Sequence, residues 1–389
     1  MNDLAGLTGP RNQQRPPGWT DRVAEDRIRR ILLDADIRIN GDRPWDLQVH
    51  DPSFFRRVLL QSSLAFGETY TEGLWDANDL EEVFRRLLRA ATDRSHRGLA
   101  ALGARLRAWL LNLQTPLRSR DVARVHYDLG NDLYEAMLDR RMIYTCAYWR
   151  DARNLDEAQE HKLRLCCEKL GLEPGMRVLD IGCGWGGLAR YAAEHYGVHV
   201  TGVTISEEQA ALARERCEGL PVDIQLRDYR DIEGEYDRIV SLGMFEHVGH
   251  KNYRAYMEVV AAHLAPKGSF LLQTIGKNES VVGVDPWIDR YIFPNGEIPS
   301  LHQITETVEG RFVIEDMHNF GPDYARTLRA WYTNFRGNWH KLRGRYGEQF
   351  FRVWRYYLLS CAGAFSARNL QLWQILMNRG DVNRTFQRP

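Results

Sequence analysis

A chain of 389 residues that is 44% hydrophobic and 11% aromatic is long enough to bury a large core, which excludes a disordered or fibrous protein. Its 52 basic and 52 acidic residues cancel, so there is no general basic field for nucleic acid, and any electrostatic partner has to be met by a local patch. The six cysteines form no C-x-x-C pair and no metal-ligand spacing, the N-terminus has no apolar leader, and no window approaches the roughly 20 apolar residues of a membrane span. These features predict a reduced, cytoplasmic protein.

Residues 1–20, rich in Gly, Pro, Asn and Gln, read as a disordered tail. From 21 to 93 short helices alternate with strand-like pieces, with helical spacing over Val23–Leu33 and Leu80–Ala91. No repeat and no glycine fingerprint occurs there, so this stretch is expected to be a small α+β domain. Residues 94–120 carry Arg94, Arg97, Arg105, Arg107, Arg118 and Arg120 without an acid, around Leu99, Leu102, Leu106, Trp109, Leu110, Leu111 and Leu113. Such a basic amphipathic linker fits a segment lying on an anionic membrane, and equally a helix packed on the following domain.

Residues 121–389 read as an α/β domain. A helix near Asp156–Leu170 stops at Gly171, and Pro174-Gly175 turns the chain into a strand from Val178. Strands at 198–203, 222–226, 236–242 and 268–275 then alternate with helices at 206–218 and 251–264. That alternation predicts an open parallel sheet with helices on both faces and a ligand at the carboxyl ends of its strands. Beyond Asn278 the chain is irregular and aromatic-rich, and its last fifty or so residues are expected to be helical and basic.

The stretch Val178-Leu-Asp-Ile-Gly-Cys-Gly-Trp-Gly-Gly-Leu188 reads as a buried strand, a glycine-rich turn and a helix from about Gly187 to His195. Gly182, Gly184 and Gly187 satisfy G-x-G-x-x-G, a weak pointer to a dinucleotide. Asp180 alters that reading. An anion at the strand tip opposes a pyrophosphate but suits a ligand carrying an ammonium and a sulfonium. The next strand ends in Thr204-Ile-Ser206, without the acid that holds an NAD ribose, so S-adenosylmethionine is favoured over a nicotinamide cofactor.

Five further stretches are ordered along the chain: His126-Tyr-Asp-Leu-Gly-Asn-Asp132, Tyr144-Thr-Cys-Ala-Tyr-Trp149, Gly202-Val-Thr-Ile-Ser-Glu-Glu-Gln209, Gly243-Met-Phe-Glu-His-Val-Gly249 and Asn319-Phe-Gly-Pro-Asp-Tyr324. With the glycine turn they closely resemble the cyclopropane-fatty-acyl-phospholipid synthases. The likeness runs from Gly67-Glu-Thr-Tyr70 through Asp285-Pro-Trp-Ile and Tyr291-Ile-Phe-Pro-Asn-Gly296 to Cys361-Ala-Gly-Ala-Phe365, leaving out only the first twenty residues. Mycolic-acid methyltransferases share the catalytic half of these motifs.

The resemblance implies a class I (Rossmann-like) methyltransferase sheet over 121–389 and a lipid-engaging domain over 21–93. It also implies methylene transfer from S-adenosylmethionine to the cis double bond of a phospholipid acyl chain, with a bound bicarbonate as base. The alkene attacks the sulfonium methyl, and loss of a proton from that methyl closes the ring. An alkene is a poor nucleophile, so the site has to be apolar, dry and strict in geometry. A carbocation is met best by π faces, which suits Tyr144, Tyr148, Trp149, Phe245 and Tyr324, although any one of these rings could simply fill a core.

By the same resemblance Cys146, Glu246, Tyr324, the peptide group of Ile275 and the side chain at 273 hold the anion. Glu246 beside bicarbonate requires a shared proton or a carboxyl whose pKa is raised by burial. At 273 the family pattern usually has His, whereas this chain has Gln273, which donates a hydrogen bond but carries no charge. Cys361 matches a cysteine regarded as part of the active site, yet its helical, small-residue setting favours packing. His247 reads as a packed histidine. Tyr144, Thr145, Asp180, Gly182, Cys183, Gly184 and Gly186 match the cofactor's methionine side. Thr204, Ser206 and Gln209 stand in for the missing ribose acid, and Asp228 and Tyr229 match adenine recognition.

The resemblance places the protein on the inner face of the membrane, bound peripherally to an anionic surface, with no nucleic-acid partner, and it leaves a homodimer open. One rival reading is a small-molecule or nucleic-acid methyltransferase. Base-methylating enzymes often carry Asn/Asp-Pro-Pro-aromatic after the fourth strand, where this chain reads Gly-Met-Phe-Glu-His. The other rival is a catalytically dead lipid binder, against which the nearly complete residue set argues. A methyl-branched product in place of a ring stays open.

Overall fold

In the computed structural model the described residues are 19–96, 130–281, 283–380 and 386–389. The tail, the basic stretch from Arg97 to Arg120 and the residues 126–129 of the first motif lie outside them. Three helices begin the described chain, α1 (Trp19–Asp34), α2 (Ser53–Thr71) and α3 (Leu80–His96). Two short antiparallel strands, β1 (Gln48–Val49) and β2 (Trp75–Asp76), tie the segments between them together. Helix α4 (Asn131–Met137) and helix α5 (Leu155–Leu170) follow. Asn154 caps α5 by accepting the Glu157 N–H, Asp156 and Glu157 suit its first turn, and Gly171 ends it in the left-handed conformation.

The sheet comprises β3 (Arg177–Ile181), β4 (His199–Thr204), β5 (Val222–Leu226), β6 (Tyr236–Leu242), β7 (Leu264–Lys277), β8 (Val313–Asn319) and β9 (Leu370–Asn378). Between the strands lie α6 (Gly187–Tyr196), α7 (Glu207–Arg216), α8 (Tyr253–His263), α9 (Pro286–Tyr291), α10 (Leu301–Val308) and the long α11 (Gly321–Ser366), which breaks at Gly347. The strand order is β5-β4-β3-β6-β7-β9-β8. Strands β3 to β7 pair in parallel, whereas β9 enters antiparallel between β7 and β8.

Two expectations are corrected here. The sheet is not wholly parallel, and residues 370–378 form a strand where a helical end was expected. Leu372 to Met377 is buried on both faces, and a short run of that kind, apolar except for Gln374, has no period that separates a strand from a buried helix.

Alternate residues of each strand enter opposite cores, as the period of two requires. Leu179, Ile181, Phe270 and Leu272 pack under α8 and α10, whereas Val178, Val240 and Leu271 pack under α5 and α6. A third core joins the N-terminal helices to α9 and α11. Four of its tryptophans, Trp75, Trp287, Trp331 and Trp354, are fully buried. Gly67 permits one of these contacts, because a Cβ there would stand 2.3 Å from the Trp287 ring. The N-terminal helices are therefore joined to α9 and α11 through shared core packing.

Candidate active site

The chain leaves β3 through Gly182 at φ +82°, where a Cβ would also come within 2.8 Å of Met244, so only glycine fits. Gly184 and Gly186 continue the turn at φ +54° and +76°, and α6 starts at Gly187. Asp180 is buried at the strand tip, and burial pushes its carboxyl up to about 7, while the charge of Lys162 opposes that shift. A buried carboxyl at the head of a turn whose Gly182, Cys183 and Gly186 N–H groups are already bonded within the protein suits a cationic ligand better than a pyrophosphate. The neighbouring Cys183 is buried, and its thiol pKa is pushed well up by desolvation.

At the end of β4 the Thr204 hydroxyl donates to Gln209 Oε1 at 3.0 Å, and Ser206 caps α7 by accepting the Gln209 N–H at 3.3 Å. These three polar residues thus form one cluster at the tip of β4. Asp228, past β5, accepts two hydrogen bonds from the Arg230 guanidinium, and its neighbour Tyr229 meets Tyr256 edge-on at 5.2 Å. Sequence reasoning passed over Ile205 and Leu226, aliphatic side chains left 75% and 46% exposed at the tips of β4 and β5. Thr204 pairs with Leu226, so these two exposed aliphatics stand at adjacent strand tips, and that placement was the signal available in the sequence.

The loop 143–146 crosses the tips of the central strands. Gln159 of α5 donates to the carbonyls of Ile143 and Thr145 at 3.3 and 2.9 Å, and Lys162 donates to the Thr145 hydroxyl at 3.0 Å. The Thr145 methyl closes against Gly243, where a Cβ would lie 2.7 Å away. Tyr144 reaches the opposite way, its hydroxyl 2.8 Å from that of Tyr357 and its ring 5.1 Å from Trp331.

Glu246 follows β6 in a short 3-10 turn and is buried. Its Oε1 accepts the Ile275 N–H at 2.6 Å, while Oε2 has no hydrogen-bond partner among the described residues. Desolvation pushes this carboxyl up to about 7, and the Ile275 N–H pulls against that shift. No ion pair of Glu246 occurs among the described residues, so a structural salt bridge does not account for it. Cys146, Ile275 and Tyr324 meet in a single apolar cluster with Phe320 and Leu372.

Gln273 sits two residues before Ile275 on the same face of β7 and is fully buried. Its Oε1 accepts from Gln374 Nε2 at 2.9 Å, and its own Nε2 has no partner among the described residues. Three buried polar atoms are thus open among the described residues around β6, β7 and β9, the Glu246 Oε2, the Gln273 Nε2 and the Gln374 Oε1. An anion that also carries a hydroxyl is the chemical complement of both kinds of group, since it accepts from an amide and donates to a carboxyl.

The remaining residues divide. Tyr324 packs on Phe365 at 4.6 Å and edge-on to Trp331, so Tyr144 and Tyr324 share one aromatic wall. Tyr148 packs on His318 and Phe320, and Trp149 is fixed by its indole N–H to Thr327 at 2.9 Å. Phe245 stacks on Tyr253 at 4.2 Å in the core under α8, away from that wall. Cys361 lies on α11, and burial holds its thiol up at about 12. Cys146 is pushed well above the ordinary thiol range by the same cause. His247 is pushed down by burial and meets Phe293 edge-on, as a packed histidine does.

The chain matches a family model described as mycolic acid cyclopropane synthetase over residues 114–375. It is 53% identical over 358 residues to a cyclopropane-fatty-acyl-phospholipid synthase of Escherichia coli K12, covering 91% of this chain and 93% of that protein. It is 34% identical to a tuberculostearic acid methyltransferase of Mycobacterium tuberculosis, covering 85% and 83%. A mycolic acid cyclopropane synthase crystallised with SAH and CTAB superposes with a TM-score of 0.61 at 32% identity, covering 65% of this chain and 95% of that one. The sheet described above is thus the class I methyltransferase sheet.

The raised Glu246 carboxyl has a measurable consequence. Between its ordinary value near 4.5 and about 7 the folded state holds a proton that the unfolded chain has lost, so stability falls as pH rises through that window. Glu246→Gln removes this loss. Its melting temperature relative to the parent is expected to improve from pH 5 to about pH 7 and to level off by pH 8. A difference that stays constant across that range contradicts the buried, protonated carboxyl.

Proposed function

Because the chain belongs to the mycolic acid cyclopropane synthetase family, we propose that it transfers a methylene group from S-adenosylmethionine to the cis double bond of an unsaturated phospholipid acyl chain. The observation that carries the finer reading is the open Glu246 Oε2 and Gln273 Nε2, with the Ile275 N–H that holds Glu246 belonging to the residue packed on Cys146 and Tyr324. Cys146, Glu246, Gln273, the Ile275 peptide and Tyr324 would hold a bicarbonate. When bound, that ion supplies a base for the proton lost from the transferred methyl.

This chain's own residues do the rest. Asp180 and the glycine turn would take the amino-acid end of the methyl donor, with Tyr144 and Thr145 closing over it. Thr204, Ser206 and Gln209 would hold its ribose, and Asp228 and Tyr229 its adenine, beside Ile205 and Leu226. The methyl carbon bonds to one alkene carbon as its bond to sulfur breaks, leaving positive charge on the other alkene carbon. Tyr144, Tyr324 and Trp331 present π faces to that charge. A thiolate or water would capture such a cation. Burial answers both hazards, since it keeps the Cys146 and Cys361 thiols protonated and the pocket dry. Cys361 is accordingly proposed as a packing residue at the pocket wall.

Glu246→Gln is expected to lose about 10²–10⁴-fold in turnover while keeping S-adenosylhomocysteine affinity, because only proton removal is impaired. Gln273→Ala slows the enzyme, and Gln273→His leaves substantial activity. Near-normal ring formation by Glu246→Gln in bicarbonate-depleted buffer would overturn this assignment.

Access to lipid is proposed to run through the N-terminal unit, residues 21–93, and the basic linker, residues 94–120. No helix among the described residues is long and apolar enough to cross a membrane. Peripheral binding to an anionic surface on the cytoplasmic side fits the acid-free arginine stretch, each Arg contributing about 1 kcal/mol near such a surface. Arg105→Glu with Arg107→Glu should weaken sedimentation with anionic vesicles and spare cofactor affinity. Unchanged sedimentation would assign the linker to internal packing.

A further inference from the structure

Tyr291-Ile-Phe-Pro-Asn-Gly296 leads into Glu297, an acid with no part in the reaction as described. Glu297 is 9% exposed, and a carboxylate so far from water costs stability unless specific donors hold it. Those donors belong to the loop that carries Glu246. Glu246 lies in a 3-10 turn, Phe245–His247, and Gly249 at φ +78° joins it to a second, His250–Asn252, before α8 begins. Short turns of this kind have poor hydrogen-bond geometry and do not by themselves fix a side chain.

Glu297 touches both turns. Its N–H donates to the Glu246 carbonyl at 2.8 Å, and its Oε2 accepts the His250 N–H at 2.9 Å. Its Oε1 stands 2.6 Å from His250 Nδ1, an ion-pair distance without the alignment of a hydrogen bond. The Glu297 carbonyl accepts the Tyr253 hydroxyl at 3.0 Å, which adds the first residue of α8.

The same segment also reaches the strand that Glu246 meets. The Pro299 carbonyl accepts the Lys277 N–H at 2.9 Å, and Ser300 bridges to Lys277. Lys277 ends β7 just beyond Ile275, whose N–H donates to Glu246 Oε1 at 2.6 Å. The contacts therefore close a circuit. It runs from the Glu246 carboxyl to Ile275, along β7 to Lys277, across to Pro299, and through Glu297 back to the Glu246 carbonyl. The backbone bonds of this circuit need no particular side chain at 297. The grip on His250 does, and that grip holds the far end of the loop.

We propose that Glu297 is a positioning residue for the transfer reaction: it brackets the two turns and thereby holds the Glu246 carboxyl against the Ile275 N–H. The inference rests on the reading of Glu246 as the residue that holds the base. It gives the acid after the Phe-Pro-Asn-Gly stretch a role at a site whose residues it does not join.

The test compares variants of the full-length protein by turnover, S-adenosylhomocysteine affinity, melting temperature and hydrogen exchange of the Ile275 amide. Glu297→Ala is expected to turn over about 10²-fold more slowly, the usual result of misplacing a reacting group by an ångström. Its S-adenosylhomocysteine affinity stays with the parent, while its Ile275 amide exchanges about tenfold faster because the turn opens locally. Glu297→Gln keeps an acceptor for the His250 N–H, so it recovers most of the turnover and of the protection. Adding Glu297→Ala to Glu246→Gln costs little further turnover, since both act at one carboxyl. If Glu297→Ala does not fold, Glu297→Asp replaces it, because aspartate keeps the charge but falls a methylene short of His250. Parent turnover and parent Ile275 exchange in the folded Ala or Asp variant overturn the proposal. So do losses that simply multiply in the double variant, or a Glu297→Gln no better than Glu297→Ala. Near-parent turnover of Glu246→Gln alone, with Ile275 exchange still raised by Glu297→Ala, brings down the reading of Glu246 and the inference with it.

Discussion

Water exclusion around a few buried charges governs this structure. An alkene attacks a methyl group only where nothing more nucleophilic is at hand, and the positive charge it leaves survives only beside π faces. The same dryness makes every carboxyl and ammonium in the site expensive. Asp180, Glu246 and Lys162 are all buried, and the Ile275 N–H holds Glu246 while the Thr145 hydroxyl meets Lys162 in place of solvent. The low dielectric that raises the two carboxyls to about 7 also strengthens the field each exerts on its neighbours.

Keeping such a pocket dry takes more than the methyltransferase sheet. Strands alone present their carboxyl ends to solvent. Here α11 crosses that end, and its Tyr324, Trp331, Tyr357 and Phe365 face the loop that carries Tyr144. The N-terminal helices then cover α11 through Trp75, Trp287 and Tyr356, within the same hydrophobic core. The antiparallel insertion of β9 matters equally, because it places Gln374 opposite Gln273 and so fixes which end of that amide is left open. An auxiliary unit and a C-terminal strand, both remote from the glycine turn in sequence, thereby complete the chemical site.

Much of this was legible in the chain itself. The glycine turn carried its own fold, because positive φ at Gly182 and the close approach of Met244 admit no side chain, and the acid before it narrowed the ligand. Helix α5 was readable from Asn154 and Gly171 at its ends. Strand β9 was not, because a run buried on both faces lacks the alternation that marks a half-exposed strand. Lys162 was overlooked for a related reason: lysines on amphipathic helices are nearly always solvated, and only the packing of α5 against the sheet reveals that this one is not. The part played by Gln374 depends on strand register, which a one-residue slip would have reversed. Phe245 illustrates the converse error, a ring next to Glu246 in sequence whose side chain turns into a separate core.

The central claim is that this buried site adds a methylene carbon across a lipid double bond and closes a three-membered ring. The direct measurement is nuclear magnetic resonance of the lipids recovered after incubating the purified protein with S-adenosylmethionine and vesicles of cis-unsaturated phospholipid. The account predicts loss of olefinic signals and appearance of cis-cyclopropane ring protons, in step with release of S-adenosylhomocysteine. Methylation at the headgroup, or a methyl-branched chain without a ring, would contradict it.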